Sequence, residues 1–131
     1  MKIVLSNNSD MPIYAQIKEQ IREQIMIGII PEDTLLPSIR QLAKDLGISV
    51  ITTTRAYNEL ESEGFIKTRQ GKGSIVLSRD NEMMKEQYLK RIEESLECAI
   101  DNSKYASISD QELITILKTL LDGREWFWCM Q

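Results

Sequence analysis

Hydrophobic residues recur at helical spacing through the first half of the chain. A stripe at four-residue intervals predicts a first helix that ends near Gly28, and it consists of Ile13, Ile17, Ile21 and Ile25. Two shorter helices follow, separated by a tight turn at Gly47. Ser38 and Ser49 are expected to cap them, with Gln41 at capping-box spacing from Ser38. The third helix is expected to run to about residue 63, with a buried face of Thr53, Ala56, Tyr57 and Leu60.

The residues after the third helix alternate in polarity around a glycine-rich turn. Residues 65–68 and 74–77 predict two short antiparallel strands, and the tip between them contains Gln70, Gly71 and Lys72. Two short helices followed by a hairpin with a basic tip are typical of a winged DNA-binding domain. We therefore assign residues 1–78 to a winged helix-turn-helix DNA-binding domain.

The pattern changes after residue 78 to two longer amphipathic helices. The first, over residues 82 to about 103, has one apolar side made of Met84, Tyr88, Ile92, Leu96, Ala99 and Ile100. The second is expected to end at Gly123, and its apolar residues are Leu113, Ile114, Ile116, Leu117, Leu120 and Leu121. Two helices bury too little surface to close a core alone. We expect residues 79–131 to form a helical dimerisation region in a homodimer, the alternative being that they fold back within one chain.

The predicted fold class is thus mostly α with a small β wing, a winged helix-turn-helix domain followed by a two-helix dimerisation appendage. The segment Trp126–Trp128 near the end of the chain is rich in aromatic side chains. It can pack in a core or a subunit interface, or it can line a cavity for a small-molecule effector. The sequence does not identify such an effector.

The formal net charge of −4 is unevenly distributed along the chain. Residues 1–78 contain nine Lys/Arg and nine Asp/Glu, whereas residues 79–131 contain seven and eleven. The acidity therefore lies in the predicted dimerisation region. A neutral domain with a local basic face can still attract DNA phosphates, because screening limits charge interactions to ~8–10 Å.

Catalytic and metal-binding chemistry has few candidate residues in this chain. The absence of histidine removes imidazole as a base, as a partner of a nucleophile and as a metal ligand. The two cysteines cannot complete a four-thiolate zinc site. We expect no catalytic residue, metal or cofactor. No apolar run approaches the ~18 residues of a membrane span and no signal peptide is present, so a cytoplasmic protein without a membrane partner is expected.

Spaced residues between positions 11 and 77 resemble the winged helix-turn-helix of the GntR family. The shared segments include Pro12-Ile13-Tyr14, Leu36-Pro37-Ser38, Leu46-Gly47-Ile48-Ser49 and Gly71-Lys72-Gly73. The short two-helix C-terminal part resembles the YtrA-type subfamily, in which that part serves dimerisation. The resemblance implies a bacterial transcription factor, usually a repressor, that binds an inverted-repeat operator on double-stranded DNA as a homodimer. The alternative is a winged-helix protein–protein adaptor without strong DNA affinity, which the acidic balance favours.

The resemblance also implies which residues contact DNA. Phosphate contacts are expected from Ser38, Arg40, Ser49 and Thr52, major-groove contacts from Val50, Ile51, Thr54 and Arg55, and minor-groove contacts at the wing from Gln70, Gly71 and Lys72. Val50 and Ile51 depart from the family, whose members often place arginine and a polar residue there. An apolar side chain can contact a thymine methyl group, or it can pack against the turn. Arg55 can pair with guanine, or with Glu59 four residues later.

Overall fold

The computed structural model describes the backbone of residues 1–129 and the side chains of residues 1–124. Within that range the elements are α1 (Ile13–Met26), α2 (Ile39–Leu46), α3 (Val50–Ser62), β1 (Ile66–Arg69), β2 (Gly73–Val76), α4 (Glu82–Tyr105) and α5 (Asp110–Cys129). The chain divides into one compact unit over residues 1–87 and a second that begins at Tyr88. The division lies inside α4, so the assignment of separate domains to residues 1–78 and 79–131 stays a prediction.

The core of the first unit lies where α1 packs against α3. The predicted stripe on α1 is buried at Ile17, Ile21 and Ile25, and the predicted face of α3 is buried throughout. The Tyr57 hydroxyl donates a 2.7 Å hydrogen bond to the carbonyl of Pro37, and burial raises the pKa of this phenol. This bond joins α3 to the segment that precedes α2.

The two predicted serine caps are present. The Oγ atom of Ser38 accepts from the Gln41 backbone N–H, and that of Ser49 accepts from the Thr52 N–H, each at 3.1 Å. The capping box at Ser38 is only half formed, because the Gln41 side chain donates to Asp45 instead of returning to the cap. Capping starts α2 and α3 at defined residues, because each serine satisfies a backbone donor that the helix leaves unpaired.

The wing is a two-stranded antiparallel sheet in which Ile66 pairs with Val76 and Arg69 pairs with Gly73. Ile66 and Val76 are buried, whereas the residues that follow Ile66 in β1 are exposed. An isolated antiparallel bridge joins Leu35 to Ile75 of β2. One face of the hairpin is thus anchored in the core, and its tip is exposed to solvent.

The predicted end of the last helix at Gly123 is wrong. The helix α5 continues to Cys129, and Gly123 is not among the glycines with positive φ. Glycine inside a helix costs about 1 kcal/mol relative to alanine, which weakens the helix without ending it. The side chains of Trp126–Trp128, the aromatic segment to which the sequence gives a packing or an effector-binding role, lie outside the described residues.

The extended N-terminal segment pairs with three glutamines of α1, which the sequence did not lead us to expect. Each glutamine carboxamide both accepts from a backbone N–H and donates to the carbonyl of the same residue, at 2.6–3.0 Å, in the pairs Lys2 with Gln24, Val4 with Gln20, and Ser6 with Gln16. The pairing is regular because two residues of extended chain span ~6.6 Å and four residues of helix span ~6 Å.

Candidate nucleic-acid interface

The N-terminal end of α3 presents side chains to solvent opposite its buried face. Val50 is 47% exposed and Ile51 is 82% exposed. Thr54 is half-buried, and its hydroxyl donates to the carbonyl of Val50 at 2.7 Å within the helix. The structure therefore brings these predicted major-groove residues onto one accessible surface, and their contact with DNA stays a prediction.

The residues predicted to contact phosphates lie at the starts of α2 and α3. Ser38 and Ser49 are exposed, and the Ser49 hydroxyl also donates to the Thr52 hydroxyl at 2.8 Å. Arg40 is exposed in the first turn of α2 and has no ion-pair partner among the described residues. Backbone N–H groups and the helix dipole favour anions at such helix starts.

Arg55 is exposed on α3 and contacts Glu59 and Tyr14. Its Nε atom donates to Glu59 Oε2 at 3.2 Å, which is the ion pair that the sequence offers as an alternative role. Its guanidinium carbon also lies 3.7 Å from the centre of the Tyr14 ring on α1. The side chain nevertheless remains 61% exposed, so the ion pair and an external contact are compatible.

The wing tip consists of the exposed residues Gln70, Gly71 and Lys72. Gly71 has φ +78°, and a Cβ atom at this position would meet nothing within 4 Å. The glycine is therefore required by the backbone conformation of the turn and leaves the tip unobstructed for an approaching ligand. Lys67 and Arg69 on β1 are also exposed and add positive charge to the hairpin.

Asn58 is a candidate that sequence reasoning missed. It is exposed on α3, four residues after Thr54 and three after Arg55, and therefore lies on the same side of the helix. An asparagine amide can form paired hydrogen bonds with adenine in the major groove. The helical spacing from Thr54 and Arg55 is the signal that identifies it.

The capped helix-turn-helix, the exposed start of α3 and the basic wing together define a winged helix-turn-helix DNA-binding protein. The model of the bacterial regulatory proteins of the gntR family matches residues 13–76. The HTH-type transcriptional repressor YtrA of Bacillus subtilis (strain 168) is 32% identical over 118 residues, which cover 90% of this chain and 91% of that protein. The chain belongs to the gntR family and is a DNA-binding transcriptional regulator.

Solved structures extend the likeness to the C-terminal helices. YtrA from Sulfolobus acidocaldarius, a GntR-family transcription factor, is 31% identical with a TM-score of 0.58 over 94% of this chain and 97% of that chain. The predicted YtrA-type resemblance is therefore confirmed. A second structure, AraR(DBD) in complex with operator ORX1, is 30% identical with a TM-score of 0.51 over 58% of this chain and 95% of that chain.

Neither a metal-binding cluster nor a membrane-spanning helix occurs in the part of the chain that the structure describes. No group of three or more His, Cys, Asp or Glu in that part is arranged to hold a metal ion. None of the helices described there combines the length and the apolar character needed to cross a bilayer.

Proposed function

We propose that this protein is a cytoplasmic transcriptional repressor that binds an inverted-repeat operator as a homodimer. The likeness to the YtrA repressor supports the direction of regulation. The likeness to an AraR domain in complex with an operator supports the type of DNA site. Repression follows when such a dimer occupies an operator and blocks access of the transcription machinery.

The observation that carries this proposal is the exposure of the first turns of α3. Ile51 is 82% exposed, which argues against packing in the turn and favours contact with a thymine methyl group. Val50 also contacts a thymine methyl group, through the part of its side chain that is exposed. Thr54 and Arg55 contact base edges, and Arg55 donates to guanine.

The remaining predicted residues orient the protein on the duplex. Ser38, Arg40, Ser49 and Thr52 bind phosphates around the starts of α2 and α3, where the helix dipoles add attraction. The wing tip, with Gln70, Gly71 and Lys72, lies along the minor groove. These contacts determine register and contribute affinity that depends on salt, whereas α3 supplies sequence preference.

The apolar face of α4 and α5 supports the homodimer. Within the unit that begins at Tyr88, an apolar groove is lined by Leu96, Ala99, Ile100, Leu113, Ile114, Ile116, Leu117 and Leu120. Large side chains on these helices remain more than 40% exposed, including Ile92, Leu120 and Leu121. A second copy of the same helices buries this surface symmetrically, and two-fold symmetry matches the two halves of an inverted repeat.

Selection from a random duplex library tests the function directly. We expect the protein to enrich a two-fold symmetric sequence and to shift that duplex in a mobility assay more strongly than a scrambled duplex of equal composition. The shift should weaken steeply as salt rises, because binding phosphates releases counterions. An absence of any salt-sensitive shift would instead favour the protein–protein adaptor, whose support is the net charge of −4.

Arg55→Ala is expected to reduce affinity for the selected duplex by about 1–3 kcal/mol and to relax base preference at one position in each half-site. The reason is the loss of a paired contact with guanine. The measurement is the ratio of the dissociation constants for the selected and scrambled duplexes. Equal losses on both duplexes would contradict the assignment of Arg55 to base contact.

Arg40→Ala is expected to weaken binding to both duplexes by about the same factor. It should also lower the slope of log K against log salt by about 1 for each subunit. The physical reason is that a phosphate contact carries charge but no sequence information. Titrations at several salt concentrations measure the slope, and an unchanged slope would mean that Arg40 binds no phosphate.

A further inference from the structure

The side chain of Arg55 is held at two separate places on its guanidinium group. Its Nε edge donates to Glu59 Oε2 at 3.2 Å, and its face lies over the Tyr14 ring, 3.7 Å from the ring centre. Glu59 lies one turn later on α3, whereas Tyr14 belongs to α1. The two contacts come from different directions, so together they restrict both the extension and the rotation of the side chain.

Glu59 is itself held in place by α1. Its other carboxylate oxygen, Oε1, accepts from Lys18 Nζ at 3.2 Å, and Lys18 also pairs with Glu63 at 2.8 Å. Burial acts to lower the pKa of Lys18, but the hydrogen bonds and the negative charges of Glu63 and Glu59 together outweigh it and raise the pKa. Lys18 therefore stays charged at neutral pH. The ion-paired side chains alternate in charge in the series Glu63, Lys18, Glu59 and Arg55.

Both contacts leave the terminal Nη end of Arg55 open. Among the described residues, the hydrogen bond of this guanidinium is made through Nε, and the side chain is 61% exposed. The two Nη groups form the fork that matches the O6 and N7 acceptors of guanine. Glu59 thus occupies the Nε edge of the guanidinium and Tyr14 its planar face, and the Nη end is left for a base.

We infer that Tyr14 and Glu59 are positioning residues that order Arg55 for a guanine in the major groove. This inference rests on the proposed function, in which Arg55 contacts DNA. An arginine that is ordered before binding loses less side-chain entropy when it contacts a base, so sequence-specific affinity rises. Tyr14 therefore influences sequence preference through Arg55.

Tyr14→Leu and Tyr14→Phe form the first test. Leucine retains apolar volume but removes the aromatic face, whereas phenylalanine keeps that face and loses only the hydroxyl. We expect Tyr14→Leu to lower the ratio of affinities for the selected and scrambled duplexes by about threefold per half-site, or roughly tenfold for two half-sites. Tyr14→Phe should leave the ratio unchanged. Thermal melting establishes that both variants fold.

Glu59→Ala and Glu63→Ala form a second, matched pair of variants. Glu59 lies on α3, and Glu63 is the residue that caps the C-terminal end of this helix. Each removes one carboxylate partner of Lys18 and one negative charge, and the ion pair with Arg55 is made by Glu59. The affinity ratio should fall for Glu59→Ala and not for Glu63→Ala. Since both duplexes carry the same phosphates, the ratio cancels the general effect of the lost charge. This pair decides the inference if Tyr14→Leu does not fold.

An Arg55→Ala background separates the inference from the function on which it rests. In that background Tyr14→Leu should produce no further change in the affinity ratio, because the residue that it positions is gone. A ratio that falls for Arg55→Ala but not for folded Tyr14→Leu or Glu59→Ala overturns the inference alone. A ratio that Arg55→Ala does not change removes the base contact and the inference together.

Discussion

Leu117→Asp is expected to convert the protein from a dimer to a monomer and to weaken binding to the selected duplex by about 10²–10⁴-fold. Leu117 lines the apolar groove of α4 and α5 and is 43% exposed. In the proposed dimer the partner subunit covers this side chain, so an aspartate there would place an unpaired charge in an apolar interface. A monomer keeps one half-site contact and loses the effective concentration that links the second half-site to the first.

Thr119→Asp is the control for this prediction. It introduces the same charge on the same helix, but Thr119 does not line the groove and its hydroxyl donates to the Thr115 carbonyl at 2.8 Å. Sedimentation should show a dimer for the parent and for Thr119→Asp, and a monomer for Leu117→Asp. A parent protein that sediments as a single subunit would instead favour helices that fold back within one chain.

Gly64→Ala is expected to lower the free energy of unfolding by about 2–5 kcal/mol. Gly64 has φ +87°, where a side chain costs about 1–2 kcal/mol. A Cβ atom there would lie 2.9 Å from Asn81 Oδ1 and 3.0 Å from the Met84 backbone nitrogen. Such overpacking costs about 1–3 kcal/mol more. Asn81 cannot simply move aside, because it donates to the Gly64 carbonyl and accepts from the Met84 N–H.

Gly47→Ala is the control that measures the cost of the left-handed backbone conformation without steric contacts. Gly47 has φ +66°, but a Cβ atom at this position would meet nothing within 4 Å. The expected cost is therefore about 1–2 kcal/mol, from the left-handed conformation alone. Urea denaturation of both variants gives the two free energies. Equal costs would show that the contacts with Asn81 and Met84 adjust without strain.

Local interactions made much of the first unit predictable. The caps at Ser38 and Ser49 and the glycine at position 47 act within a few residues of themselves, so they determine helix boundaries wherever the helices pack. The spacing of apolar residues on α1 and α3 likewise determines which faces can be buried. The same logic located the wing, although its strands start and end one residue away from the expected positions.

The end of α5 and the contacts of Arg55 were less predictable from the sequence. Gly123 resembles a helix stop in sequence, but a glycine adopts either helical or positive φ, and the chain that follows it remains helical. Arg55 and Glu59 are four residues apart, so their pairing was foreseeable. The Tyr14 ring comes from another helix, and its position over the guanidinium depends on how α1 crosses α3.

The sequence by itself determined the order and type of the elements, the buried faces of α1 and α3, and the exposed start of α3. Each of these depends on residues that are neighbours along the chain, where periodicity and capping act. Only the tertiary structure decided that the N-terminal segment pairs with Gln16, Gln20 and Gln24, and that the Tyr14 ring lies against the Arg55 guanidinium. Those contacts join distant segments, and their geometry arises only after the helices have packed.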